Sequence, residues 1–282
     1  MPCFVPFKNN LDLTFFVLRS VSILDDEIIH SMKCFSFQAE DLGCVYSSVM
    51  KSIHGNLVII IVHNDETFAA RIFSLFNLFK TSFGTAFLLL YKAALGIIVW
   101  YGAWIKRSEE NRHILNKTLL SAIEDLSHLA VLIQHGFYSV YAGESKDGQQ
   151  NARFSTGDTI LLCGMVPASE DSSDLSYACM AILRSSFNNV EASTAGVCLQ
   201  CRDRPMVAML HVWKSLQSCY TWLITANYRR TIRPYISNFS YEAQFDIFKV
   251  IYVSSDDVLN CEISQSKSVI GSRVGKGEVQ SD

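Results

Sequence analysis

The order of apolar and polar positions suggests a chain that alternates between strands and helices. After Asn9-Asn10, Leu11 to Arg19 alternates loosely and reads as a first strand. Asp25 and Asp26 open a helix to Cys34 with Ile28, Ile29 and Met32 on one face. Leu42, Val45, Val49 and Ile53 then fall at helical spacing, predicting a second helix over Ala39–Ile53. His54-Gly55-Asn56 stops it, and Leu57–Val62 is a β-branched run typical of a buried strand. Ile97–Ile105 is another such run. Ser108 then caps a helix with two carboxylates in its first turn, and apolar positions at Leu115, Leu119, Ile123, Leu126, Ala130 and Ile133 carry it to about Gln134.

Downstream the chain reads as β-rich. Tyr138 to Ala142 leads into the polar turn Gly143 to Gly148. Strands are predicted at Asp158–Met165, Ser176–Arg184, Gly196–Cys201, Met206–Trp213 and Gln244–Ser254, with a helix at Leu216–Asn227 that Pro234 prevents from continuing. No repeat at a fixed period is visible. This order predicts an α+β fold in which a mixed β-sheet is covered by helices. It forms a single main domain over residues 1–260, with a tail at 261–282 expected to be disordered.

One stretch disturbs that picture. Residues 58–96 form a hydrophobic insert, and 64–96 could be a helix. From Phe83 to Ile105 the only formal charge is Lys92, and a span needs about 20 apolar residues. The central Lys costs about 2.5 to 3.5 kcal/mol, which nearly cancels the gain from the apolar residues. A single-pass membrane anchor through 83–105 is therefore an alternative reading. The N-terminus has no basic region ahead of an apolar core and is not read as a signal peptide.

Composition narrows the class. Hydrophobic residues make up 49% and charged residues 18%, which suits a sizeable core. A net charge of −3 supplies no field for nucleic acid, so no nucleic-acid partner is expected. The 9 cysteines are scattered and odd in number, which predicts reduced thiols and a cytoplasmic or nuclear location.

Motifs for chemistry are scarce. Cys198-Leu199-Gln200-Cys201 has no second ligand pair for zinc and lies at a strand end instead of opening a helix. Gly271 to Gly277 has the wrong spacing for a phosphate loop. The histidines are dispersed, so no metal and no cofactor are expected. The densest basic cluster, Tyr228 to Arg233, could meet an acidic partner or mark a solvated helix end.

Several strings carry a resemblance: MPCFVPFKNNLDLTFFVLR, KSIHGN, WYGAWIKRS, YAGESKDG, FSTGDTI, HVWKSL, CYTWL and FDIFKVIYVS. They resemble an uncharacterised family of land-plant proteins classed as a domain of unknown function. The resemblance implies no activity, cofactor or site residue. It does imply that KSIHGN should run within a few residues into WYGAW, so the segment from Val58 to Leu95 resembles a retained intron read in frame.

Three functions follow as expectations. The first is a non-enzymatic soluble intracellular binding or scaffold protein with an unknown protein partner. Its surface would use Trp100, Trp104, Trp213, Arg229, Arg230 and Arg233, although the tryptophans read more readily as core. The second is the membrane-anchored protein. The third is an enzyme of unrecognised type, with Glu144, Asp147 and Asp158 as candidates because polar residues cluster there.

Overall fold

The computed structural model describes residues 2–8, 10–21, 26–54, 96–189, 191–228 and 230–254, and the backbone of residues 58–61. The strands are β1 (Cys3–Pro6), β2 (Leu11–Ser20), β3 (Cys44–Ser52), β4 (Val58–Ile61), β5 (Ile97–Ile105), β6 (Ala130–Ser145), β7 (Asn151–Phe154), β8 (Thr159–Pro167), β9 (Ser193–Cys201), β10 (Val207–Trp213) and β11 (Ser240–Val253). The helices are α1 (Asp26–Asp41), α2 (Glu109–Glu124), α3 (Ser173–Asn189), α4 (Leu216–Thr225) and α5 (Ile232–Ser237).

Strands run in the order β3-β5-β2-β6-β9-β10-β8-β11, and β11 pairs back onto β3. The sheet is therefore a closed barrel of eight strands, and every pairing in it is antiparallel. The expected α+β fold with a mixed sheet is corrected by this closure. Its basis was the order of strands and helices, and a continuous apolar run such as Ile97–Ile105 also suits a parallel strand covered on both faces. Here the same double burial has another cause: side chains fill the lumen on one face and helices cover the other. β5 and β10 are accordingly buried along nearly their whole length.

The barrel contains a repeat with no sequence period. β2-α1-β3-β5-α2-β6 and β8-α3-β9-β10-α4-α5-β11 are two β-α-β-β-α-β units with the same strand order, β3-β5-β2-β6 and β9-β10-β8-β11. They join where β6 pairs with β9 and where β11 pairs with β3. One core cluster draws on barrel strands and no helix: Phe15, Val17, Val99, Tyr101, Val197, Leu210, Phe248 and Val250 belong to this lumen. Cys3, Val5, Ala152 and Phe154 of the small β1–β7 sheet close one end of it. A second cluster lies under α1 and α2, a third under α3 to α5.

Several local expectations change. The helix at Ala39–Ile53 is replaced by the end of α1 and by β3. Gly43 turns the chain between them at φ 90°, a conformation glycine adopts freely. The long helix to Gln134 stops at Glu124, because its apolar residues from Ala130 onward pair with β2 as a strand. Ser176–Arg184 lies in α3, where Leu175, Cys179, Ile182 and Leu183 face the barrel at helical spacing. Pro234 sits in the first turn of α5, where its missing N–H costs no helical bond.

Ile97–Ile105 of the expected membrane span is β5, held between β3 and β2 in the barrel wall. Among the described residues no helix is long and apolar enough to cross a membrane. Residues 62–95 and 261–282 lie outside the described residues.

Candidate active site

Turns β6–β7 and β7–β8, the start of β9 and the end of β10 meet around a cavity of about 400 Å³. Its polar lining is Ser145, Lys146, Asp147, Arg153, Asp158, Glu191, Ser193, Thr194 and Lys214, and Ala195, Val212 and Trp213 form its apolar part. Strand ends supply these residues because β6, β8, β9 and β10 all terminate at this rim, where the backbone leaves the ladder and polar side chains reach water.

The walls are fixed by the backbone. Lys146 N–H donates to Thr194 O at 2.8 Å, and Lys214 N–H to Ala192 O at 3.1 Å. The Thr194 hydroxyl donates to Val212 O at 3.1 Å, and the Lys146 ammonium to Glu191 O at 3.2 Å. Two carboxylates differ in state. The Ser145 hydroxyl and the Gln149 N–H donate to exposed Asp147, which lowers its pKa. Asp158 is half-buried, and loss of hydration raises its pKa. The Ser155 N–H at 2.7 Å and the charge of Arg153 oppose that rise without cancelling it. A carboxyl whose pKa burial raises inside a cavity is a candidate acid–base group.

Behind the cavity, Ser193 Oγ lies 2.7 Å from His211 Nε2, and Ser186 Oγ 3.1 Å from the same nitrogen. His211 is fully buried, its ring 4.2 Å from that of Trp213 and 5.7 Å from that of Trp222. Burial pushes its pKa down to about 3, so the imidazole is neutral. It braces the start of β9 against β10.

The lumen offers a poorer site. A gap of about 40 Å³ lies among Phe15, Val17, Gln134, Tyr138, Gln244 and Phe248. Ligand pockets usually measure about 300 to 1,000 Å³. The end cavity is within that range and the lumen is far below it.

Of the residues expected at a partner surface, Trp100, Trp104 and Trp213 are fully buried. The Trp100 indole N–H donates to Ser36 Oγ and that of Trp104 to Thr14 Oγ1, both at 2.9 Å. Trp213 packs on Trp222 and adjoins the cavity. Arg230 and Arg233 are exposed beside α5, away from the cavity lining, and Arg229 lies outside the described residues. Of the three carboxylates named for an enzyme, Asp147 and Asp158 line the cavity. Glu144 instead pairs outside it with Arg184 at 2.7 Å. Sequence reasoning missed Lys146, Arg153, Glu191 and Lys214. Their only signal was polarity next to strand ends that had not been placed.

Comparisons with known proteins agree with the fold. Residues 136–248 match a family described as a domain of unknown function (DUF7392), which spans β6 into β11. No curated protein matches the sequence. An anthrone oxidase-like protein has a similar structure, with a TM-score of 0.55 and 13% identity over 89% of this chain and 95% of its own. A Fusobacterium nucleatum protein described as a monooxygenase has a TM-score of 0.53 and 9% identity over 87% and 95%. These likenesses establish a shared fold. The expectation of a non-enzymatic binding or scaffold protein is corrected accordingly: its supposed aromatic surface is core, and its fold is that of proteins described as oxidase-like and monooxygenase.

Proposed function

We propose that the chain is an enzyme that moves a proton on a small polar substrate held in the end cavity, with Asp158 as the acid–base group. The observation that carries this reading is the placement of a half-buried carboxyl with a raised pKa in a cavity of ligand size. Burial makes the Asp158 carboxyl hold a proton more readily than an exposed one, so that it can act as the acid toward a substrate oxygen, and the Ser155 N–H fixes one of its oxygens. That leaves the other oxygen free of the Ser155 contact and able to donate a proton to a substrate carbonyl oxygen while the C–H proton leaves to water. Lys146, Arg153 and Lys214 stand around the same space and stabilise negative charge that develops as the proton leaves. The fold shared with an oxidase-like protein and a protein described as a monooxygenase supports an enzyme over a passive binder.

Solvent exchange tests the reading. The protein is incubated in D₂O with a panel of small 2-keto acids and 1,3-dicarbonyl compounds, and loss of the acidic C–H signal is followed by NMR. Catalysed exchange is expected with at least one compound. Asp158→Asn should slow it by about 10²- to 10⁴-fold, the usual contribution of a positioned acid–base group. Exchange no faster than in buffer, or an Asp158→Asn variant as fast as the parent, overturns the proposal.

A further inference from the structure

Charge around the cavity is arranged by wall. Lys146 extends from the end of β6, Arg153 from β7 and Lys214 from the end of β10, so three cations approach from three sides. Three carboxylates share the space and differ in availability. Asp147 already accepts from the Ser145 hydroxyl and the Gln149 N–H. Glu191 is exposed, on the loop before β9, and its backbone carbonyl takes the Lys146 ammonium. Asp158 is the half-buried one, and Arg153 is near enough for its charge to act on it. On β11, Lys249 sits at the register position facing Thr159, next to Asp158.

With every group ionised, the lining is neutral: three cations balance three carboxylates. An anion entering between Arg153 and Lys214 therefore gains their attraction but meets Asp158 as a like charge. An anion brought against the half-buried Asp158 carboxylate disfavours its charged form further, and a proton relieves the repulsion. The proton goes to the carboxyl that burial has already moved toward neutrality, leaving a protonated Asp158 that can donate a hydrogen bond to the incoming oxygen. The cavity then has one positive charge in excess, which matches one carboxylate on the ligand.

We infer that the cavity takes a small organic carboxylate, held by Arg153 and Lys214, and that Asp158 takes up one proton as the ligand binds. This rests on the reading of the cavity as the substrate site, and it assigns the substrate class.

The test is titration calorimetry of the full chain at pH 6 to 7.5 with acetate, malonate, succinate and inorganic phosphate. Each titration is repeated in two buffers of different ionisation enthalpy, so that the difference in heat counts protons. Expected is saturable binding of at least one carboxylate with net proton uptake, and with affinity that weakens as pH rises. Arg153→Gln should weaken it at least tenfold. Its thermal transition should match the parent's, since the side chain is exposed. Asp158→Asn should retain or tighten binding while uptake falls to zero. The inference is overturned if phosphate binds and carboxylates do not, if Arg153→Gln binds as well as the parent, or if uptake persists in Asp158→Asn. Absence of any binding overturns it too, whereas C–H exchange on uncharged dicarbonyls would leave the proton-transfer reading standing. Binding with proton uptake but no C–H exchange on any panel compound would do the reverse.

Discussion

The Ser52 hydroxyl donates to the Asp246 carboxylate across the seam where β3 meets β11 and closes the barrel. The same hydroxyl oxygen accepts the His54 N–H at 3.2 Å, and the other Asp246 oxygen accepts the Ile247 N–H at 2.7 Å. His54 continues the chain of contacts to the Tyr220 hydroxyl on α4. Asp246 is 3% exposed, and burial raises its pKa against the pull of these donors and of His54.

That relationship sets a pH dependence. Between the unfolded value near 3.8 and its raised folded value, Asp246 binds a proton more readily in the folded chain. Its contribution to stability therefore falls as pH rises through this window. Asp246→Asn retains an acceptor for Ser52 and removes the buried charge. Denaturation at pH 4 to 8 should show it at least as stable as the parent at pH 7, with a flatter pH profile. Asp246→Ala removes the acceptor of the Ser52 hydroxyl across the seam and should cost about 1 to 3 kcal/mol. An Ala variant as stable as the parent would show that the seam does not depend on this bond.

His211 acts with the opposite sign. Its imidazole takes a proton near 6.5 when unfolded and resists it to about 3 when folded. In that window the unfolded chain binds more protons, so stability falls as pH drops from 6.5 toward 3. His211→Gln removes the titration. Acid unfolding followed by tryptophan fluorescence should then show a shallower acid limb in the variant. The same acid limb in both proteins would rule out His211 as a source of acid lability.

Gly102 lies where an added Cβ would run into the Trp100 ring. That ring is wedged against Phe35, with centroids 4.8 Å apart, and tied to Ser36, so it has little room to move. Gly102→Ala should lower stability by about 1 to 3 kcal/mol, the usual cost of overpacking. Urea denaturation measures it, and a neutral substitution would mean that α1 gives way.

The two units connect equivalent strands by chains of very different length. β9 reaches β10 through Arg202 to Met206, whereas β3 reaches β5 through Ile53 to Gly96. The short turn covers the edge of β6: Arg202 N–H donates to Phe137 O, Asp203 accepts the Phe137 N–H, and Arg204 donates to His135 O. β4 covers the equivalent edge of β11, Val58–Ile61 against Glu242–Phe245. Replacing residues 56–95 with a turn of the β9–β10 type should leave a folded barrel, because the hairpin geometry already exists in the second unit. Circular dichroism and a cooperative thermal transition check this. An unfolded product would show that the segment contributes to the core.

The sequence alone placed β2, β5, β8, β10 and α4 close to their positions, because each is a run of apolar residues of one character bounded by clear turn residues. It also singled out Asp147 and Asp158, on polarity alone. It misplaced the β3, β6 and α3 stretches, since Val45, Val49 and Ile53, or Ala130 and Ile133, fit helical and strand spacing equally well over so few residues. Partners distant in sequence decided between the two: β2 lies ready to pair with Ala130–Tyr138, and β5 with Cys44–Lys51. Closure, the doubled unit and the cavity belong to the tertiary structure for the same reason. Burial on both faces of a strand looks alike in sequence whether a lumen or a second helix layer supplies it. Lys146, Arg153, Glu191 and Lys214 share one space only because separate strands end at the same rim of the barrel.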